Sequence, residues 1–544
     1  MAVPIGSHRQ SRRREERTIN AQRGSQKRHF RRYREIALIL VKHRLREVIR
    51  TLGLERFLPM RWIPPGNPWR REPYPQHVRM RMALEELGTT FIKLGQILST
   101  RVDLLPSDFA RELTKLQSSL SPIPVDVIKR TITEELGRPV EEVFASFTPE
   151  PLGVASIGQV HAAKLRDGTS VVVKVRKPGV VEQVAEDLDV LHQLAVSAAD
   201  RWEDAEHYDL VGIVQEITET LHGEMDYVRE GRNAEYFASF FKGDLLVHIP
   251  KIFWEYTTSQ VITMERIEGI HIMDVPGLER AHFNRKDLAK RSVNLWLKMV
   301  FEGGAFHADP HPGNLLVEKD GRLGLVDFGM LGLVDNEIRE NLATAIQSIL
   351  ERDVEQLVEA LVDLGVMRRE SSREQLRADL KHVLGHYPDL SIEKLRASLD
   401  LDELFQVVRH NHVQLPANTF LLLKTVVMAQ SLGKGLDPDF DIIPPLESYV
   451  KKLFRKKFSP LTFAKRLPGT WGDLAVFGME FPRRMNRIVK SVERGELQVR
   501  TDVSGLETHL EHLEHIVNRL VIGLVISAII LGMAIVVLSF RVGR

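Results

Sequence analysis

From His307 the chain reads His307-Ala308-Asp309-Pro310-His311-Pro312-Gly313-Asn314, then the apolar run Leu315-Leu316-Val317. A turn at Asp320-Gly321 leads into a second apolar run, Leu323-Gly324-Leu325-Val326, which ends in Asp327-Phe328-Gly329. Two short apolar runs around an Asp-Gly turn predict a β-hairpin with polar residues at the ends of its strands. Such a hairpin brings Asp309, Asn314 and Asp327 to one edge of a site. These side chains suit phosphoryl transfer: Asp309 faces the attacking oxygen, while Asn314 and Asp327 hold Mg²⁺ on the phosphates. The rival readings are a solvated loop and a metal site at His307-x-Asp309-x-His311. Metals do take such ligands, but no further His or Asp cluster completes a shell.

A phosphate site also needs elements upstream to cradle its ligand. Leu152-Gly153-Val154-Ala155-Ser156-Ile157-Gly158-Gln159 reads as a small-residue turn after Pro151, where the β-rich part begins. Such a loop can donate backbone N–H groups to phosphates. Strands are expected over 160–165 and 170–175, joined by an Asp167-Gly168 hairpin turn. Lys174 is a lone charge in a β-branched run, and a buried charge needs an anionic partner. In a kinase that lysine grips the phosphates and pairs with a helix glutamate; the alternative is an edge strand with Lys174 in solvent. Residues 184–232 read as helix throughout. There Asp226 and Glu230 share a face and Glu224 sits away from them, giving two acidic contacts or one solvated face. The strand 260–265 places the backbone of Met264 and Glu265 where adenine would lie. Residues 78–105 read as helix and then loop, and helices are expected over 122–147 with a cap at Ser121 or Asp126, over 285–304, and from about Asn336 onward.

The 544 residues allow two to four domains. Formal net charge is +2, but residues 1–50 hold fifteen Arg and Lys against four Glu. Cysteine is absent, which excludes a disulfide framework and Cys-ligated zinc. The first 35 residues read as disordered. Tyr33 to Leu54 is a basic amphipathic helix, lying on an anionic membrane surface or presenting an ordinary solvated face. A Pro-rich linker follows, from Pro59 to Pro75. Leu520 to Phe540 carries no charge and is bounded by Arg519 and Arg541. A bilayer core needs about 20 apolar residues as helix, so this run is read as a membrane span. Leu506, Leu510, Leu513, Val517 and Leu520 form a narrow seam leading into it, suited to pairing helices in a homodimer.

An Asp, an Asn five residues later and Asp-Phe-Gly thirteen beyond is the ordered signature of kinase-like folds. With Lys93-Leu94-Gly95-Gln96, the Ala155–His161 loop, Val-x-Val-Lys-Val at Lys174 and Glu-x-Asp at Glu224–Asp226, the chain resembles the UbiB-like atypical kinases, or AarF-domain family. The match runs from about Arg81 to the C-terminus. Gly153 and Val154 stand where the family usually has alanine. No Ala-Pro-Glu follows Asp-Phe-Gly, so the segment that docks peptides in protein kinases is missing. The resemblance implies a lid that carries Lys93 and Gln96 over the site, with Lys93 pairing Glu224 or Asp226 and Glu230 left for Lys174. It also implies ATP and Mg²⁺ as cofactors and a role in isoprenoid quinone synthesis.

The expected architecture is α+β, a two-lobed kinase-like fold with an N-terminal helical extension, a helical C-lobe and a C-terminal transmembrane helix. Its parts are 1–70, basic; 71–150, helical extension; 151–335, kinase core; 336–505, helical C-lobe extension; and 506–544, seam and anchor. The expected activity is an ATP-dependent phosphotransferase or ATPase on the cytosolic side of a membrane. Membrane lipid or a quinone precursor and quinone-synthesis proteins are the expected partners, with no nucleic acid. The alternatives are a small-molecule phosphotransferase of the aminoglycoside or choline kinase type, and an ATP-binding scaffold without catalysis.

Overall fold

A computed structural model of the chain describes residues 29–58, 74–100, 105–116, 122–201, 209–365, 373–385 and 417–457. The chain divides into two compact units, Met1–Lys456 and Lys457–Arg544, and the elements below build the first.

The upper sheet has four antiparallel strands in the order β1-β2-β3-β5: β1 Phe144–Val154, β2 Gly158–Leu165, β3 Ser170–Arg176 and β5 Val261–Glu265. The β-branched run of β3 alternates. Val171, Val173 and Val175 are buried against Ile128 and Ile132 of helix α6 (Val125–Leu136). Lys174 therefore projects from the opposite face. Because β3 lies between β2 and β5, with Lys174 opposite Val160 and Ile262, the edge-strand alternative fails.

The N-terminal helices are α1 (29–42), α2 (Arg46–Thr51), α3 (Gln76–Leu87), α4 (Thr89–Thr100) and α5 (Ser107–Leu113). They share one apolar core with α8 (Val180–Ala199) and α9 (Leu210–Met225). This corrects the amphipathic reading of 33–54. Ile36, Leu40, Leu45 and Ile49 are buried in that core, so the apolar face is covered by protein rather than open to a membrane. Each such side chain contributes about 1.5–3 kcal/mol on burial. Arg32 anchors α1 by donating to Asp187 of α8 at 2.7 Å and to the Leu87 carbonyl at 2.8 Å.

Several boundaries differ from expectation, each for a local reason. Gly88, at φ +99°, splits the helical part of 78–105 into α3 and α4. The 122–147 helix ends at Leu136 before Gly137, also at positive φ. Pro124 precedes its first turn, without a side-chain cap. A short α7 (Val140–Val143) then feeds β1, which starts at Phe144 rather than near Pro151. The 184–232 segment is not one helix. Asp209 caps α9, and Asp226 takes extended geometry and caps α10 (Tyr227–Phe240).

The lower lobe is mostly helical. It contains α11 (Val275–Arg280), α12 (Arg285–Glu302), α13 (Asn336–Glu351), α14 (Val354–Asp363), α15 (Arg373–Gly385), α16 (Ala417–Leu436) and α17 (Ile443–Lys457). The predicted hairpin is present as β8 (Leu315–Glu318) and β9 (Leu323–Leu325), with Leu315 opposite Leu325. They join β4 (Val247–His248) and β6 (Gly269–His271) in the order β4-β9-β8-β6. A two-stranded pair, β7 (Ala305–His307) with β10 (Leu331–Leu333), flanks them. The mixed α+β class thus holds. Among the described residues no helix is long and apolar enough to cross a membrane. The 520–540 span, its seam, residues 59–73 of the Pro-rich linker and the first 28 residues lie outside the described residues, while Pro75 at the linker's end precedes α3.

Candidate active site

Lys174 leaves β3 toward α10, where Glu230 is almost wholly buried. Its ammonium lies 2.8 Å from both Glu230 oxygens and 3.9 Å from Asp327 Oδ2, and it also sits over the Tyr227 ring. Burial works to depress the Lys174 pKa, but Asp327 and Glu230 outweigh it, so the ammonium stays charged. Asn233, one turn on from Glu230, donates to the Phe328 carbonyl at 2.9 Å. Helix α10 thus holds the strand-end Asp-Phe-Gly as well as Lys174.

The loop from His307 to Asn314 is fixed by His307. Its Nδ1 accepts from the Asp309 amide at 3.1 Å, which places the ring proton on Nε2, 2.6 Å from the Asp327 carbonyl. One imidazole therefore sets the spacing of Asp309 and Asp327. Asn314 donates to the Asp309 carbonyl at 3.2 Å, and its own carbonyl accepts from Val326 at 3.2 Å across the hairpin. The Asp327 Oδ1 accepts from Gly329 at 2.9 Å. Phe328 is buried against Phe237 and His307. With both nitrogens of His307 engaged and His311 exposed and bonded to Gly313, the His-x-Asp-x-His metal reading fails. Among the described residues no cluster of three His, Asp or Glu is arranged to hold a metal by itself.

Two further cations enter this cleft. Lys93 of α4 places its ammonium 2.6 Å from Glu224 Oε1, at the end of α9. Burial works to lower its pKa, but Glu224, Asp309 and Asp327 hold it above the ordinary value. From below, Lys424 of α16 lies 3.3 Å from Asp309 Oδ1. Burial pushes the Asp309 carboxyl up, yet Lys424 and Lys93 outweigh it and hold the pKa at about 2. The sequence reading missed Lys424. The signal was present: a lone lysine in the apolar run Leu421-Leu422-Leu423-Lys424-Thr425-Val426-Val427, the same pattern that singled out Lys174.

Residues 115–361 match the ABC1 atypical kinase-like domain, 380–441 the UbiB helical domain and 504–541 the ABC1/UbiB kinase-like C-terminal domain. A probable protein kinase UbiB from Marinobacter nauticus is 35% identical over 76% of this chain and 78% of its own length. The chain belongs to the ABC1/UbiB atypical kinase-like family. The Azotobacter vinelandii probable protein kinase UbiB is 34% identical, over 81% of this chain and 83% of its own length. The chloroplastic Arabidopsis thaliana protein ACTIVITY OF BC1 COMPLEX KINASE 8 is 34% identical, over 76% of this chain and 60% of its own length. Among solved structures, that of Rv3197 with erythromycin from Mycobacterium tuberculosis has a TM-score of 0.46 at 26% identity. It covers 65% of this chain and 90% of its own.

Within the ABC1/UbiB motifs the structure separates residues that the sequence grouped. Glu224, not Asp226, pairs with Lys93, while Asp226 is exposed and accepts from the Val228 and Arg229 amides as the α10 cap. Gln96 donates to the Leu116 carbonyl at 2.7 Å, and Gly95 lets α4 approach Leu116 and Leu84. Both thus pack the extension on itself. The small-residue stretch is only partly a loop. Leu152, Gly153 and Val154 end β1, Ala155 to Ile157 turn with the Ala155 amide donating to Gly158 at 2.8 Å, and Gly158 and Gln159 begin β2. Ile157 is buried with the N-terminal helices, Ser156 is buried, and Gln159 bonds both backbone groups of Ile123 and the His161 ring. These packing contacts occupy Ile157 and Gln159, which were expected to face a nucleotide. Gly158 admits the Tyr227 hydroxyl, which would collide with any Cβ there. Met264 is buried opposite Val172. The Glu265 carboxylate accepts from the Lys251 amide at 3.2 Å and lies 3.4 Å from His248.

Proposed function

We propose that this protein is an ATP-dependent phosphotransferase or ATPase that uses Mg²⁺ and serves isoprenoid quinone or another prenyl-lipid synthesis at a membrane. The observation that carries the reading is the convergence of Lys174–Glu230, Asp327, Asn314 and Asp309 from four separate elements on one cleft. In this reading Lys174 holds the phosphates and Asp309 orients the attacking hydroxyl or water. The backbone of Met264 and Glu265 meets adenine, and the Ala155–Gly158 turn covers the phosphates. The family resemblance supports the quinone role.

The donor set fits Mg²⁺. With its amide nitrogen turned to Asp309, Asn314 keeps its side-chain oxygen for a cation, and Asp327 offers a second hard oxygen donor. Mg²⁺ characteristically takes one or two carboxylates and completes its shell from phosphate and water. When bound, the ion neutralises charge on the transferred phosphoryl group. Lys93 and Glu224 make the N-terminal extension a lid over the cleft. The 520–540 run would anchor the chain, with the catalytic unit on the cytosolic side. Quinone-synthesis proteins, a membrane lipid or a quinone precursor would meet it there, and a homodimer would form through the terminal seam.

The full chain, purified in lipid or detergent, is expected to hydrolyse ATP only with Mg²⁺. Asp309→Asn is expected to reduce turnover about 100-fold or more. Equal turnover in the parent and Asp309→Asn proteins refutes the role given to Asp309. Unchanged quinone and prenyl-precursor pools in a deletion strain refute the pathway.

A further inference from the structure

The segment from Asp309 to Asn314 contains no lysine or arginine. Its one titratable cation candidate, His311, is exposed and bonds the Gly313 amide. Yet transfer of a phosphoryl group spreads negative charge over its outer oxygens, and a fixed cation beside the attacking oxygen lowers that barrier. The two cations of the upper lobe and extension pair with carboxylates other than Asp309: Lys174 bonds Glu230 and leans to Asp327, on the side where it would hold the phosphates, and Lys93 bonds Glu224. Lys424 alone among the described residues forms an ion pair with Asp309.

We propose that Lys424, supplied by the helical lobe, contacts the γ-phosphoryl group and stabilises its charge during transfer. This rests on the nucleotide reading above. The lysine side chain is 11% exposed and the Asp309 side chain 39%, so the carboxylate opens to the cleft while the stem of the lysine is packed. Its helix is rigidly held. Thr425, the next residue, is buried with its hydroxyl donating to the Leu421 carbonyl at 2.9 Å and lying 3.4 Å from the His307 carbonyl, and Leu422, Ala429, Leu432 and Leu436 are buried in the lower core. Arg285 of α12 donates to the Leu436 carbonyl at 2.9 Å. Two consecutive residues of α16 thus face the loop, Lys424 paired with the Asp309 carboxylate and Thr425 packed against the His307 backbone. A cation on such a support needs little reorganisation when charge develops. In hydrolysis the water oxygen bonds to the γ-phosphorus as the bond to the β,γ-bridging oxygen breaks. That electron pair leaves on ADP, and the surplus proton passes through product phosphate to solvent. Lys424 transfers no proton.

The test compares the full chain with Lys424→Met, using Lys434→Met as a control on an exposed lysine of the same helix. Two quantities are read: kcat and KM for Mg-ATP hydrolysis, and the affinities for ADP and for a non-hydrolysable ATP analogue. Lys424→Met is expected to lower kcat about 100-fold, the cost of removing one charge-stabilising donor. It is also expected to erase the preference for the analogue over ADP while ADP affinity stays within about twofold. Lys434→Met is expected to behave as the parent protein. Parent-like turnover in Lys424→Met, or an equal loss of affinity for ADP and the analogue, overturns the proposal. If the parent protein itself binds neither nucleotide, the nucleotide reading falls and this proposal with it. If the parent binds and turns over while Lys424→Met matches it, only this proposal falls. Should Lys424→Met not fold, the polar, neutral Lys424→Gln carries the same two readouts.

Discussion

Lys93→Ala should destabilise the protein most when divalent cations are absent. Four carboxylates line the cleft, Glu224, Glu230, Asp309 and Asp327, and three ammonium groups meet them, Lys93, Lys174 and Lys424. One negative charge is in excess, and removing Lys93 leaves two. The Lys93 and Glu224 side chains are 19% and 11% exposed at 2.6 Å, nearer to a buried pair than to a surface one. An exposed pair contributes about 0–1 kcal/mol. Removing one partner of a buried pair costs about 3–5 kcal/mol. The cleft admits water, so the loss should fall between these, at about 2 kcal/mol. For a domain of a few hundred residues that corresponds to a fall in Tm of roughly 4 °C. Thermal melts of the full chain in chelator should show this fall. Excess Mg²⁺ should remove most of it, because the ion supplies the missing positive charge. Mg²⁺ should therefore stabilise Lys93→Ala more than the parent protein. A fall of the same size with and without Mg²⁺ would mean that Lys93 matters through packing of α4, and the electrostatic reasoning would be wrong. No fall in either condition would show that Glu224 needs no counter-charge.

Gly158→Ala should lower the melting temperature, since its Cβ would meet the Tyr227 hydroxyl and stand 3.0 Å from the Val175 carbonyl. Tyr227→Phe should recover part of the loss, and a double mutant no better than Gly158→Ala would place the clash elsewhere. His161 is buried, with Nδ1 facing the Thr148 carbonyl and Phe147 stacked on its ring, and burial holds its pKa below the ordinary value. As pH falls through about 6.5 the unfolded chain takes a proton that the folded one resists, so stability should drop from there toward the lower folded pKa. Melts from pH 7.5 to 5 should show a shallower decline for His161→Gln, and parallel curves would acquit this histidine.

Much of this site was legible from local pattern. The spacing of Asp309, Asn314 and Asp327 around two apolar runs required the β8–β9 hairpin, because period-two strands and an Asp-Gly turn admit few other structures. The lone Lys174 among valines announced a buried charge in search of a carboxylate. The amphipathic period of 33–54 marked a helix with an apolar face, but periodicity is silent on what covers that face, and α8 and α9 proved to do so. Choosing between Glu224, Asp226 and Glu230 was likewise beyond local reasoning. The break at Asp226 separated α9 from α10, sending Glu224 to Lys93 and Glu230 to Lys174 while Asp226 became a cap. Lys424 reaches Asp309 across 115 residues of chain. Local propensity and hydrophobic period act over a few residues and so determine elements and candidate groups. Which carboxylate meets which ammonium depends on how those elements pack, since charges pair by distance in space and not along the chain.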